Sequence, residues 1–153
     1  MKYDVTQATP EQAESLTQIA FAAKRYWGYP ERWIELWSPI LTITEEFIQE
    51  HPTYVAYAKG RPVGFYTLSI KKDKASLEHL WVLPAYLGQG IGKALFEHAV
   101  KRCKKLGTHI LEIESDPNAQ GFYEYMGAKK TGELVGQVDG QPRVLPILKI
   151  NLT

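Results

Sequence analysis

Three glycines at alternate positions, Gly88, Gly90 and Gly92, stand between an apolar β-type segment ending at Pro84 and the longest helical pattern of the chain. In that helix Ile91, Ala94, Leu95, Ala99, Cys103 and Leu106 recur on one stripe, with Lys93, Glu97, Lys101 and Lys104 opposite and Gly107 as a stop. A turn without side chains lets successive backbone N–H groups converge on one anion. The helix dipole adds about half a positive charge at the same place. The arrangement suits a pyrophosphate. Two common glycine motifs fail on spacing. A dinucleotide fingerprint needs a third glycine where Lys93 stands. A nucleoside-triphosphate loop needs glycine at Leu87 and Ser or Thr at Ala94.

The rest of the chain reads as alternating short elements without repeats or linkers. A small strand comes first. Thr9-Pro10-Glu11-Gln12 then has the form of a helix start, and Leu16, Ile19, Ala20 and Ala23 share a face of the helix that follows, closed by Gly28 and Pro30. Further helices are predicted over Glu31–Trp37, ended by Ser38-Pro39, and from the Thr44 cap to about Glu50. Residues 53–58 and 63–70 are β-rich and joined by Lys59-Gly60-Arg61-Pro62, and a third strand runs from Lys74 to about Leu83. After the long helix, residues 109–114 form a strand whose right-handed crossover makes it parallel to the preceding one. Asp116-Pro117 opens a short helix, and strands near residues 129–135 and 144–152 close the chain. The expected fold is mixed α/β: a mostly antiparallel sheet of six to seven strands with one parallel, splayed pair, flanked by four to five helices.

The segment Leu80-Trp81-Val82-Leu83-Pro84 followed by Gly88 through Gly92 resembles motif A of the GCN5-related N-acetyltransferases (GNAT). Asp116-Pro-Asn-Ala-Gln-Gly-Phe-Tyr-Glu-Tyr-Met-Gly-Ala128 resembles the motif B that follows it in that family. The likeness covers the chain from about residue 53 to its end, and the N-terminal helices match in arrangement. One departure is Leu87, where the family has Arg or Gln, so the backbone cradle must hold the phosphates without that side chain.

The resemblance implies acetyl-CoA as donor and a primary amine as acceptor, joined by direct attack in a ternary complex through a tetrahedral intermediate. It implies that Leu80, Trp81 and Val82 pair with the pantetheine arm as an added strand. Gly88, Gln89, Gly90, Ile91, Gly92 and Lys93 then hold the pyrophosphate. A strand N–H aimed at the thioester oxygen is typically worth about 2.7–4 kcal/mol. Tyr123 is placed near the sulfur as the acid for the departing thiolate; read without motif B, it is a packing tyrosine. Asn118 either contacts the cofactor arm or caps the helix after Pro117. For the base, Glu78 is the first candidate, then Glu112, Glu114 or an ordered water. Simple alternation turns His79 away from Glu78.

The acceptor side is expected between the N-terminal helices and the splayed strands, where Tyr26, Trp27, Tyr29, Trp33 and Trp37 gather. These aromatics can cage a cationic amine, wall an apolar one, or simply pack on the sheet. Arg25 and Arg143 are candidates for an acceptor carboxylate. The expected organisation is one domain over residues 1–153, with 1–52 on the acceptor side and 53–153 as the cofactor core. Eighteen basic against seventeen acidic residues provide no basic stripe for nucleic acid or membrane. A start at Met1-Lys2 without an apolar run, and the single Cys103, are what a cytoplasmic chain shows. The four histidines form no metal-ligand spacing with Cys103. A small-molecule amine is the expected partner, the protein acting as monomer or homodimer. The alternatives are a protein or peptide acetyltransferase, or an acyl-CoA sensor without catalysis.

Overall fold

The computed structural model describes residues 3–153, so Met1-Lys2 lie outside the described residues. The chain runs β1 (Asp4–Gln7), α1 (Ala13–Arg25), α2 (Glu31–Leu41), α3 (Glu45–Glu50), β2 (Thr53–Ala58), β3 (Arg61–Lys71) and β4 (Lys74–Val82). It continues with α4 (Ile91–Lys105), β5 (Ile110–Glu114), α5 (Gln120–Tyr125), β6 (Lys129–Val138) and β7 (Gln141–Asn151). Short 3₁₀ turns at Pro10–Gln12, Pro84–Tyr86 and Pro117–Ala119 lead into α1, the glycine turn and α5. The seven strands form one sheet in the order β1-β2-β3-β4-β5-β7-β6, in which only β4 and β5 are parallel. The expected class and strand arrangement are therefore present.

Local chemistry sets the element ends. The Gln12 side-chain oxygen accepts from the Thr9 N–H at 3.0 Å, and the Thr44 hydroxyl accepts from the Phe47 N–H at 3.0 Å. Lys59 and Gly60 both adopt positive φ, 52° and 75°. That geometry matches the twist of a two-residue hairpin and allows β2 to turn directly into β3. One helix end departs from expectation. Pro39 does not stop α2, which continues to Leu41. Proline removes one N–H, but Leu41 is buried at 2% exposure and Thr42 N–H closes the last turn on Ser38 at 3.0 Å. Burying Leu41 outweighs the single lost bond. The last hairpin is also longer than expected, so Arg143 lies within the β6–β7 ladder, opposite Gly136.

Each sheet face carries its own core. Leu68, Ala75, Leu77 and Leu111 pack under Ile91, Leu95, Phe96 and Ala99 of α4. Val55 and Phe65 pack under Leu16, Ile19 and Ala20 of α1 and Ile34 of α2. Each such large side chain stabilises the fold by roughly 1.5–3 kcal/mol. The α4 face is close. A Cβ at Gly64 would stand 2.9 Å from the Trp81 carbonyl oxygen and 3.1 Å from Leu95, so glycine is what lets α4 lie against β3 and β4.

Two irregularities of β4 create the site. Its pairing with β5 covers only Lys74–Leu77 against Ile110–Ile113, while β4 runs on to Val82. From Glu78 onward the edge facing β5 has no strand partner, and the two strands splay. Thr67 pairs with His79 and Leu68 with Leu77, which leaves Glu78 as the extra residue of a β-bulge. Strict alternation is thereby broken. Leu77 packs toward α4, whereas His79 turns to Phe47 and Phe65 on the opposite face.

Candidate active site

The splay opens a cleft on the α4 face, about 270 Å³, lined by Leu80, Trp81 and Val82 of β4 and by Gly92, Asn118, Phe122 and Tyr123. Its upper end is the start of α4. Gly90 is the N-cap in the left-handed region, φ 85°, and Gly88 is also left-handed at φ 78°. The first helical bond of α4 runs from Ala94 N–H to Gly90, so the N–H groups of Ile91, Gly92 and Lys93 are the ones a helix leaves free. Among the described residues, nothing lies within 4 Å of where a Cβ would stand at Gly88 or Gly90. The Tyr3 hydroxyl donates to Gln89 O at 2.9 Å and ties the turn to the N-terminal segment. Ile91 itself is 1% exposed, its side chain packed into the core beneath the turn. Lys93 and Gln89 open onto a shallow groove with His98 and Lys101. Free amides at a helix start, an unpaired strand edge and an apolar channel between them fit the diphosphate, the amide-bearing arm and the thioester end of coenzyme A.

Tyr123 closes the inner end. It is 7% exposed and its ring packs at 5.7 Å from Phe96 and 5.2 Å from Phe122. Burial, and secondarily the charge of Asp116, push its phenol above the usual range, so it is a neutral donor at physiological pH. Asn118 lines the cleft, but its side-chain amide donates to Tyr29 and Asp116, each at 3.0 Å.

A second cavity of about 340 Å³ opens on the face of α1 and α2, walled by Lys24, Trp37, Glu78, Trp81, Asp116 and Arg143 among others. Its floor is a hydrogen-bonded cluster. Asp116 Oδ2 accepts from Lys24 Nζ at 2.6 Å, from the Tyr29 hydroxyl at 2.9 Å and from Arg143 Nη2 at 3.3 Å. The Lys24, Asp116 and Arg143 side chains are only 10%, 9% and 13% exposed. Burial alone would raise the Asp116 carboxyl, but the bond and charge of Lys24, the Asn118 N–H and Tyr29 hold it below the ordinary carboxylate range. Burial lowers the Lys24 ammonium, against the pull of Asp116.

The expected acceptor-side residues divide. Tyr26 and Trp27 line the α4-face cleft, stacked edge to face at 5.2 Å, whereas Tyr29 joins the Asp116 cluster. Trp33 stacks behind Tyr29 at 5.8 Å and lines neither cavity; Trp37 takes the wall instead. Arg25 is exposed and paired with Glu31 at 2.8 Å, away from both. Lys24 carries no sequence motif of its own, and Asp116 reads in the sequence only as the start of the motif B segment and its short helix. The signal for Lys24 is that it continues the four-residue spacing of Leu16 and Ala20 along the buried stripe of α1.

Among the carboxylates, Glu112 is neutralised by Lys74 at 3.1 Å and Lys149 at 3.6 Å. Glu78 and Glu114 are exposed and line both cavities. Although solvent reaches Glu78, partial desolvation by the cleft walls is the main cause that raises its carboxyl; His51 lowers it and Glu114 raises it further. His79 is buried, accepts from the Trp81 indole N–H at 2.9 Å through Nδ1, and is pushed down to about 4, chiefly by burial and then by His51. It is neutral at pH 7 and unsuited to proton uptake there. A stability effect follows. The unfolded chain binds this proton near 6.5 and the folded chain only near 4, so stability is full above pH 6.5 and falls as pH drops toward 4. The loss through this group should reach roughly 3 kcal/mol. Urea unfolding at pH 7 and pH 4.5 measures it, and His79→Gln should flatten that part of the pH dependence.

Comparisons with known proteins identify the family. The sequence profile of the Acetyltransferase (GNAT) family matches residues 14–128, and the chain belongs to that family. The peptidyl-lysine N-acetyltransferase YjaB of Salmonella typhimurium is 35% identical over 109 residues, covering 71% of this chain and 70% of that protein. A spermidine N(1)-acetyltransferase of Thermoplasma acidophilum is 28% identical over 157 residues, covering 95% and 96% of the two chains. The crystal structure of PaiA N-acetyltransferase from Thermoplasma acidophilum, in complex with coenzyme A, superposes with a TM-score of 0.76 at 27% identity over 99% of each chain. The protein is an acetyl-CoA-dependent N-acetyltransferase. Among the described residues, no helix is long and apolar enough to cross a membrane, and no group of three or more His, Cys, Asp or Glu is placed to hold a metal ion.

Proposed function

We infer that this protein acetylates the primary amine of a small molecule, with the donor in the α4-face cleft and the acceptor in the cavity beneath α1 and α2. One observation carries the reading: Leu77, Glu78, Trp81, Glu114 and Asp116 line both spaces, so the two chambers meet through the gap between β4 and β5. The second chamber is walled by Trp37, Trp81, Arg143 and the N-terminal helices. Such a pocket suits a small acceptor better than an extended peptide.

Acetyl-CoA supplies the acyl thioester. The N–H groups of Ile91, Gly92 and Lys93 bind its diphosphate, and the unpaired edge at Leu80–Val82 aligns its arm, as free strand edges do for extended amides. Glu78, at the bulge, faces the junction and takes the proton that the ammonium must lose before it can attack, directly or through water. Tyr123 shares its proton with the departing thiolate. Residues 1–52 furnish Lys24 and Trp37 to the acceptor wall, and 53–153 furnish most of the donor cleft, with Tyr26 and Trp27 at its edge.

The test is release of free thiol from acetyl-CoA, followed by a chromogenic reagent across an amine library. Release should depend on added amine. Because the Glu78 carboxyl is raised and must be ionised to act, the acid limb of kcat/KM should lie above the ordinary carboxylate value of about 4.3. Activity is then lost as pH falls through that limb. Glu78→Gln should remove the limb and lower kcat by about 10²–10⁴-fold. An unchanged limb in this variant would assign the base to Glu114 or to water.

A further inference from the structure

The acceptor cavity carries groups of opposite charge. Where it meets α1 and β7, Lys24 and Arg143 share a single carboxylate, Asp116, at 2.6 and 3.3 Å, so this wall holds one more cation than anion. Arg143 reaches Tyr29 and Asp116 through Nη2 alone, and its guanidinium lines the cavity. The aromatic faces are already taken. Lys24 Nζ lies 4.3 Å from the Trp37 ring centre and 5.0 Å from that of Tyr29, and the Arg143 guanidinium carbon lies 4.8 and 4.9 Å from the same two rings. An aromatic cage attracts a ligand cation only when its faces are open. Here the protein's own cations fill it, and a second ammonium at that wall is repelled. The β4–β5 gap presents Glu78 and Glu114, while Glu112 is already paired with Lys74 and Lys149.

Resting on the small-acceptor reading above, we propose that the acceptor is a zwitterion, an amino acid or similarly small amine bearing a carboxylate. Its carboxylate docks on Arg143 and Lys24, and its amine points past Glu78 into the gap. An arginine fork and a buried ammonium flanked by aromatic walls recognise a carboxylate as a bidentate and a point partner respectively. The transfer balances without further reagents. The C–S bond of the thioester breaks and an amide C–N bond forms, giving an N-acetyl amino acid, coenzyme A thiol and one proton released from the ammonium.

The experiment compares each proteinogenic amino acid with its own carboxamide in the thiol-release assay, with spermidine and a lysine peptide blocked at both ends as cationic controls. At least one amino acid should exceed its carboxamide in kcat/KM by about 10–100-fold, as charged hydrogen bonds of this kind imply. Arg143→Gln should bring that ratio close to one, chiefly through KM, while coenzyme A binding measured by calorimetry holds. Arg143→Lys, which keeps the charge, should retain part of the ratio and serves if the glutamine variant does not fold. As a readout without turnover, the N-acetyl form of the preferred amino acid should raise the melting temperature of the coenzyme A complex, and its N-acetyl carboxamide should not. Equal use of acids and carboxamides, or preference for spermidine or the blocked peptide, overturns the zwitterion assignment. Equal use or a preference for spermidine leaves small-amine acetylation itself standing, whereas preference for the blocked peptide overturns that as well. Thiol release with no amine of any kind overturns both.

Discussion

Replacing Tyr123 by phenylalanine is expected to lower kcat by about 10²–10⁴-fold, the range for loss of a positioned proton donor. The fold and coenzyme binding should hold. The ring keeps its contacts with Phe96 and Phe122 at 5.7 and 5.2 Å, and only the hydroxyl at the end of the cleft is removed. The role expected of that hydroxyl is limited by its own acidity. Burial and the Asp116 charge raise it above the ordinary phenol, while a thiol has a reference value of about 8.5. Full transfer to the thiolate is therefore uphill, and the contribution must come from a proton shared as the C–S bond breaks. Two consequences separate this from packing. The raised phenol adds no basic limb to the rate profile near neutral pH, and the variant should lose kcat with KM for acetyl-CoA nearly constant. Rapid-quench turnover with saturating amine measures the first step directly. If kcat is unchanged, Tyr123 only fills the cleft wall.

What the sequence made legible was the part encoded by local geometry. Gly90 falls in the left-handed region at the start of α4, where its spacing before a strong helix placed it. The α1 stripe of Leu16, Ile19, Ala20 and Ala23 is buried as its period requires. That Leu80–Val82, the start of α4 and Tyr123 gather on one cleft was legible for the same reason, since they lie within two continuous segments. The cavity beneath α1 and α2 was legible only in part: Tyr29, Trp37 and Arg143 were expected there, but not the cluster that Lys24 and Asp116 form with them. Lys24, Tyr29, Asp116 and Arg143 come from α1, the following loop, the end of β5 and β7, and no local period links positions so far apart. Asp116 had a sufficient local explanation as a cap, which it also fulfils by accepting from Asn118 N–H at 2.8 Å. The bulge at Glu78 is invisible for a different cause. One inserted residue shifts the faces of His79 and Trp81, yet the residues on both sides still alternate, so the pattern reads as a regular strand.

The Asp116 cluster also predicts the largest stability effect of a single charge. Asp116→Ala removes the one anion between Lys24 and Arg143, whose side chains are 10% and 13% exposed. Deleting one member of a buried ion pair typically costs about 3–5 kcal/mol, because the partner is left buried and uncompensated. The cap on the Pro117–Ala119 turn is lost as well, worth about 0.5–2 kcal/mol. Asp116→Asn separates the two, since asparagine retains the cap and loses only the charge. The pH dependence identifies the mechanism. Burial already lowers the Lys24 ammonium in the folded chain, and without Asp116 it falls further. A base whose folded value is depressed lowers stability below that value and ceases to do so as pH rises toward its unfolded value of about 10.4. The deficit of Asp116→Asn, measured by urea unfolding, should therefore be greatest near pH 7 and narrow toward pH 10. Combining it with Lys24→Met should recover a large part of the loss at pH 7, since an apolar chain of similar length removes the unpaired charge while keeping contact with Trp37. If the double variant is as unstable as the single one, the cluster holds the fold through hydrogen bonds to Tyr29 and Asn118 rather than through charge. The site would then owe its positive wall to Arg143 alone.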